Sequence, residues 1–432
     1  MKVLVVLALL SLGVSARPAL AGGAESEHRS APPVVRFATF NASLNRGAAG
    51  ELIANLSTPG DVQAQAVAEI IQRVRPDVLL VNEFDFDTDG ARGGSAAAAL
   101  FQQNYLGVGQ HDAAPIEYRY RRAFPANTGL HVATMIPGGI DLNRDGTIEP
   151  APGSPAYAGD AIGFGFFEGQ FAFVVYSRYP ILDEQLRTFQ KFLWKDMPRA
   201  RLPVDPVTGR DFYSERALSV LRLSSKNHVD VPIEIGQRVV HFLVSHPTPP
   251  VFDGPEDRNG LRNADEIRFW ADYITPDAGA YIRDDDGQPG GLPRGASFVI
   301  AGDQNADPFE GDSVPGAIQQ LLEHPLVNTS VTPASQGGVD RAAAQAQNNA
   351  DHLGEAAFDT ADFGEAAFGG PGNLRVDYVL PQRAMRVVDA GVFWPGDSDP
   401  AFRLTGPGYP TVSSDHRLVW IDISLGQAAD AP

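Results

Sequence analysis

Apolar and polar positions along this chain mark out strands and amphipathic helices in alternation. Residues 34–40 alternate β-branched or aromatic side chains with others, and predict a first strand ending at Asn41. Val62, Ala66, Ile70 and Val74 recur at every fourth position, predicting a helix over 61–74 with Asp61 as its N-cap and Pro76 beyond its end. The run 77–81 then predicts a fully buried strand leading into Asn82-Glu83. This strand–helix–strand unit opens an α/β fold.

The same reading predicts strands at 171–176, 217–223, 238–245, 297–301, 374–380, 385–393 and 418–423. It takes 217–223 and 238–245 as antiparallel neighbours across a polar connection containing Asn227. Helices are expected near 95–106, 262–273 and 314–322. Long loop insertions fall at about 84–168, 253–295 and 332–372. The last is rich in Ala, Gln, Asn, Gly and Asp, and repeats Gly-Glu-Ala-Ala-Phe at 354–358 and 364–368. Two copies are too few for a solenoid, which needs about three. No interdomain linker stands out, so 34–426 reads as one elaborated domain.

Composition changes this picture at the N-terminus. Lys2, an apolar run over 3–14 and Ala19-Leu20-Ala21 form a signal peptide over 1–21, followed by a disordered lead-in over 22–33. The expected location is therefore secreted, extracellular or periplasmic. The apolar run is short for a bilayer, and no later stretch approaches the roughly 18 apolar residues a span requires, so no membrane span is expected. The chain has no Cys, which excludes disulfides, thiolate zinc sites and a thiol nucleophile. A formal charge of −19 disfavours non-specific binding to nucleic acid or anionic membrane. It leaves a phosphate substrate open, because a divalent cation held by acidic residues can supply positive charge locally.

Polar, metal-capable residues sit at the ends of the predicted strands. Asn41, Glu83, His246, Asp303 with Asn305, and Asp415-His416 each adjoin an apolar run, and Asp377 interrupts one. Strands of one sheet present their ends along one edge, so these groups can converge. Glu83, with Asn41 and Asp415, offers hard oxygen ligands suited to Mg²⁺ or Mn²⁺. Asp303 suits proton acceptance from water, Asn305 donation to a phosphoryl oxygen, and His416 backed by Asp377 a cationic ring beside an anion. His246 offers a second imidazole.

The strings Thr39-Phe-Asn41, Asn82-Glu83, Ser245-His246, Gly302-Asp-Gln-Asn305, Arg375-Val-Asp-Tyr378 and Ser414-Asp-His416 resemble, in order, the motif set of the endonuclease/exonuclease/phosphatase superfamily. The resemblance runs from about 35 to 423. It implies a four-layered α/β sandwich, two packed mixed β-sheets flanked by helices, with the site at one edge. It also implies a metal-dependent phosphoric ester hydrolase. By motif, Asn41, Glu83 and Asp415 fall on the metal side. Asp303 and Asn305 match the water-activating and phosphate-binding pair, Asp377 the partner of His416, and His246 the mid-chain His. Two departures stand out: Pro-Thr-Pro-Pro follows His246, and Gln304 replaces the usual apolar residue between Asp303 and Asn305.

Two features lie outside that set. Asp141, Asn143, Asp145 and Gly146 match the D-x-N-x-D-G start of a calcium loop, with Ile148 tucking inward. The twelfth position is Pro152 rather than Glu, so the loop is either a structural Ca²⁺ site completed by another carboxylate such as Asp160, or an ordinary Asx-rich turn. Trp194, Arg199 and Arg201 read equally as a substrate-cleft wall or as a hydrophobic anchor with two surface charges. The substrate is expected to be a phosphate ester: a small metabolite, a nucleic acid or a lipid head group, with no obligate protein partner. An extracellular nuclease of this fold is the alternative, though no basic stripe supports it. A non-catalytic secreted binding protein is the alternative of a different class.

Overall fold

A computed structural model describes residues 33–87, 96–364, 369–406 and 411–426. The expected signal peptide, all of the lead-in but Pro33, and most of the second Gly-Glu-Ala-Ala-Phe copy lie outside these residues. In chain order the strands are β1 (Val34–Leu44), β2 (Val78–Phe84), β3 (Tyr120–Phe124), β4 (Phe173–Ser177), β5 (Arg187–Thr188), β6 (His228–Ile235) and β7 (Arg238–Ser245). Then follow β8 (Ser297–Asp303), β9 (Ala361–Asp362), β10 (Asn373–Leu374), β11 (Asp377–Pro381), β12 (Arg386–Val392) and β13 (Val419–Ser424).

One large sheet has the order β12-β13-β1-β2-β4-β3 and the other β11-β8-β7-β6-β5, while β9 and β10 form a small antiparallel pair of their own. Each large sheet is mixed. A parallel pair, β1/β2 in one and β7/β8 in the other, sits among antiparallel neighbours. Alternation along the strands explains the layering. Val35, Phe37, Val78 and Leu80 of the first sheet meet Val231, Phe242, Val244 and Val299 of the second in one buried cluster. The rings of Phe37 and Phe242 lie 5.6 Å apart there. The opposite side chains of the first sheet, Ala38, Phe40, Leu79 and Val81, pack on the helices Val62–Val74 and Ala96–Phe101. Leu243, Phe298 and Ile300 of the second pack on the helix Arg258–Ile274. The result is helix, sheet, sheet, helix: the four-layered α/β sandwich expected.

Asp61 caps the Val62–Val74 helix by accepting from the Ala64 N–H at 2.8 Å, and Arg75 ends it at φ 56° before Pro76. The strand expected at 217–223 does not form. Ser214 instead caps a short helix, Glu215–Leu218, and the partner of β7 is β6. Val229, Val231, Ile233 and Ile235 alternate as a strand's do, but Pro232 at the centre argues against a strand inside a sheet and masks β6 in the sequence; Asp230 is buried and paired with His241 and Tyr273. The helix expected over 314–322 is confined to Gln319–Leu322, and the strand expected over 374–380 splits into β10 and β11. Among the described residues no helix is long and apolar enough to cross a membrane.

Candidate active site

Both parallel pairs end on one edge, and their last residues carry the polar groups. β1 runs on past Asn41 to Leu44, with an irregularity between Asn41 and Leu44 and Ser43 at φ 48°. Glu83 inside β2 and Asn305 just after β8 also hold positive φ, 55° and 50°. Such backbone costs about 1–3 kcal/mol at a non-glycine residue and concentrates where side chains must be re-aimed. Asp303 closes β8 and pairs with Asp377, the first residue of β11.

Asp303 is the meeting point. Its Oδ2 lies 3.1 Å from the Asn41 amide nitrogen, 3.3 Å from His246 Nε2 and 3.7 Å from His416 Nε2. Its Oδ1 accepts the Asn305 backbone N–H at 2.8 Å. Burial opposes the charge on Asp303, but His416, His246 and the Asn41 bond outweigh it and hold the carboxyl well below its ordinary range. His416 Nδ1 lies 2.9 Å from Asp377 Oδ2, which also accepts from Thr360 Oγ1 at 2.9 Å. Burial disfavours the charged ring, yet Asp377 and Asp303 raise His416 well above 6.5. Burial pushes Asp377 up to about 6. His246 goes the other way: burial, with Lys226 adding to it, lowers the ring to about 4, so it is neutral. The site therefore holds one cationic and one neutral imidazole on one carboxylate.

Glu83 and Asp415 face each other beside this group. Burial first, then the Asp415 charge, raises Glu83. Asn41 and Asn45 each donate to one Glu83 oxygen, at 3.1 and 2.8 Å, and Ser43 Oγ donates to Asp415 at 3.0 Å. Two buried-side carboxylates with lone pairs to spare suit a hard divalent cation, which would offset both the burial and the repulsion. Asn41 is placed differently from the metal role expected of it. Its nitrogen, not its oxygen, faces Glu83 and Asp303, while its Oδ1 accepts from Ser43 N–H. In this orientation Asn41 bridges the two carboxylates, and turning the amide over would present its oxygen to an ion. The trio Asp303, Asp377 and His416 also has ligand atoms within 4.8 Å of one another. A protonated imidazole has no lone pair for an ion, so that trio reads as a proton-bearing chain.

Glu83, His246, Asp303, Asn305, Asp415 and His416 open into one cleft of about 1100 Å³. Asn305 donates one amide N–H to the Pro247 carbonyl at 3.1 Å, leaving the second available. The 332–372 segment forms part of the wall through Arg341, Asn348, Phe363 and Pro371, and the Phe363 ring meets the edge of His416 at 5.3 Å. Sequence reasoning missed Asn45, Thr360 and Lys226. Asn45 follows β1 closely enough to have been suspected. Thr360 was hidden in the apparent insertion, and Lys226 in the misplaced connection before β6. Lys226 is buried near Glu83, Asp303 and Glu266, and burial lowers its pKa.

Trp194 is not a cleft wall. It is fully buried in the core under the Arg258–Ile274 helix and donates to Asp265 at 2.8 Å. Arg201 stands 3.8 Å from the same Asp265, Arg199 is exposed, and neither lines the cleft. Their apolar neighbours, Phe192 and Met197, made this an anchoring segment. Asp141, Asn143 and Asp145 form a turn far along the chain from these strand ends, in which Asp141 accepts from the Asp145 and Gly146 N–H groups. Ile148 is 44% exposed and does not tuck inward.

A family model described as Endonuclease/Exonuclease/phosphatase family matches residues 38–416. Among solved structures, an endonuclease/exonuclease/phosphatase from Beutenbergia cavernae is 16% identical with a TM-score of 0.48, over 92% of this chain and 73% of that one. Sphingomyelinase C from Streptomyces griseocarneus is 15% identical with a TM-score of 0.41, over 90% and 99%. The human Nocturnin catalytic domain is 14% identical with a TM-score of 0.42, over 91% and 95%. No curated protein matches.

Proposed function

Since the chain belongs to the endonuclease/exonuclease/phosphatase family, whose members typically hydrolyse phosphate esters, we propose that it is a secreted, metal-dependent phosphoesterase acting on small phosphate esters. The convergence of Asn41, His246 and His416 on the Asp303 carboxylate carries this reading. Asp303, ionised at neutral pH, orients a water and accepts its proton at Oδ2. The His416 imidazolium, fixed at Nδ1 by Asp377, presents Nε2–H to a phosphoryl oxygen. The free N–H of Asn305 reaches a second phosphoryl oxygen, and the neutral His246 stands on the leaving-group side. Mg²⁺ or Mn²⁺ held by Glu83 and Asp415 would supply the remaining positive charge on the phosphate and leaving oxygens.

Secretion rests on the N-terminal pattern, and the preference for small esters on the acidity of the cleft. The test is hydrolysis of a chromogenic phosphodiester and monoester with Mg²⁺, Mn²⁺ or Ca²⁺, and with EDTA. Turnover is expected with metal and should vanish on chelation and in His416→Ala. Turnover indifferent to both removes the mechanism, and a folded chain that hydrolyses no ester favours the binding role.

A further inference from the structure

The turn at 141–146 has a neighbour that the cleft chemistry does not use. The short helix Pro155–Gly159, capped by Ser154, ends at Asp160, whose side chain is fully buried. Asp160 Oδ1 accepts the N–H of Leu142, inside the turn, at 2.6 Å. Its other oxygen, Oδ2, is buried with no hydrogen-bond partner. Buried polar groups are nearly always satisfied, so an orphan carboxylate oxygen aimed at an Asp-rich turn points to a ligand. The turn lies directly on this helix end: a Cβ at Gly159 would stand 2.2 Å from the Asn143 amide nitrogen. Burial raises Asp160 to about 6, and Asp141 and Asp145 add to that shift.

We propose that Asp141, Asn143, Asp145 and Asp160 form a Ca²⁺ site, separate from the cleft, that fastens the long loop preceding β4 onto the body of the protein. The spacing supplies side-chain oxygens at alternate positions, the Thr147 carbonyl continues the series, and Gly146 takes the required turn at φ 84°. Asp160 takes the place of the missing carboxylate at the twelfth position. Three carboxylates, an amide and a carbonyl suit the larger, geometrically tolerant Ca²⁺ rather than octahedral Mg²⁺. The turn must draw in to close on the ion. Among the described residues, the His/Asp/Glu group already within 4.8 Å is Asp303, Asp377 and His416, not this one. Affinity is therefore expected in the weak range of extracellular modules, about 10⁻⁴–10⁻³ M.

Calcium titration of the full chain by calorimetry, with limited proteolysis of the 137–160 loop, tests this. Wild type and Glu83→Gln should show the same calcium site and the same protection of the loop. Asp145→Asn and Asp160→Asn should each weaken it at least tenfold and lose the protection. Asp145 is exposed, so its variant is expected to fold, and circular dichroism checks this. A calcium isotherm unchanged in both loop variants, one lost in Glu83→Gln alone, or no binding up to about 10 mM overturns the proposal. None of these results depends on the chain having esterase activity.

Discussion

Asp303 is 1% exposed yet ionised, because the His416 charge and His246 stand beside Oδ2 and the Asn41 amide donates to it. Asp303→Asn keeps the shape but loses the proton acceptor, so kcat/KM should fall by about 10²–10⁴-fold with a thermal midpoint close to wild type. A loss under about fivefold, in assays at saturating metal, gives the proton to another group. The shifts also set a pH profile. Asp377, raised to about 6, protonates as pH falls through that value and releases the His416 ring, giving an acid limb. His416, raised well above 6.5, stays charged through neutrality and gives an alkaline limb as pH rises through its folded value. Its stabilising contribution has the same sign: fully present below about pH 6.5 and lost at high pH. A kcat/KM profile in which His416→Gln retains the alkaline limb would assign that limb elsewhere. These residues were legible in the sequence because each adjoins an apolar run. What could not be read was which atom each presents; for Asn41 it is the amide nitrogen that faces Glu83 and Asp303.

At the scale of elements, local chemistry was most legible where it was self-contained. The helix Val62–Val74 has its stripe, cap and stop within 16 residues of sequence, from Asp61 to Pro76, and formed as expected. Asp61 also holds Arg46 at 3.1 Å, and Arg46 adjoins Asn45, the donor to Glu83. Asp61→Ala should cost about 1 kcal/mol in urea denaturation, with kcat/KM changed only a few fold. A midpoint identical to wild type means that the cap contributes nothing. β6 had the alternation of a strand, but Pro232 within it and the burial of Asp230, satisfied by the distant Tyr273, could not be weighed from the local pattern. Trp194 misled for the converse reason. An aromatic beside two arginines looks like a binding wall until the helix that covers it is known.

The whole molecule carries a formal charge of −19, and the cleft follows suit. Among the described residues, Asp307, Glu310 and Asp312 join Glu83, Asp303 and Asp415 in its lining, against one arginine, Arg341, which is already paired with Asp362 at 2.7 Å. A duplex lays a phosphate every few ångströms across its binding surface, and each neutralised phosphate contributes to affinity and to its salt dependence. This cleft offers cationic groups for the reacting phosphate and acids beyond it. A small ester needs only the first. A nucleic acid must also pass the second, at a distance where salt screens the repulsion only partly. The expected result is a kcat/KM for a small chromogenic diester that varies less than about threefold between 50 and 200 mM salt. Cleavage of duplex DNA should be far slower and should improve as salt rises. The exposed Asp312 makes the cause testable. Asp312→Lys should lower the apparent KM for DNA several-fold at low salt, with the gain erased at high salt, while the small ester is affected less. Wild-type cleavage of DNA that outpaces the small ester and falls steeply with salt would mean that a cationic path to the cleft exists, and the nuclease reading would then take precedence.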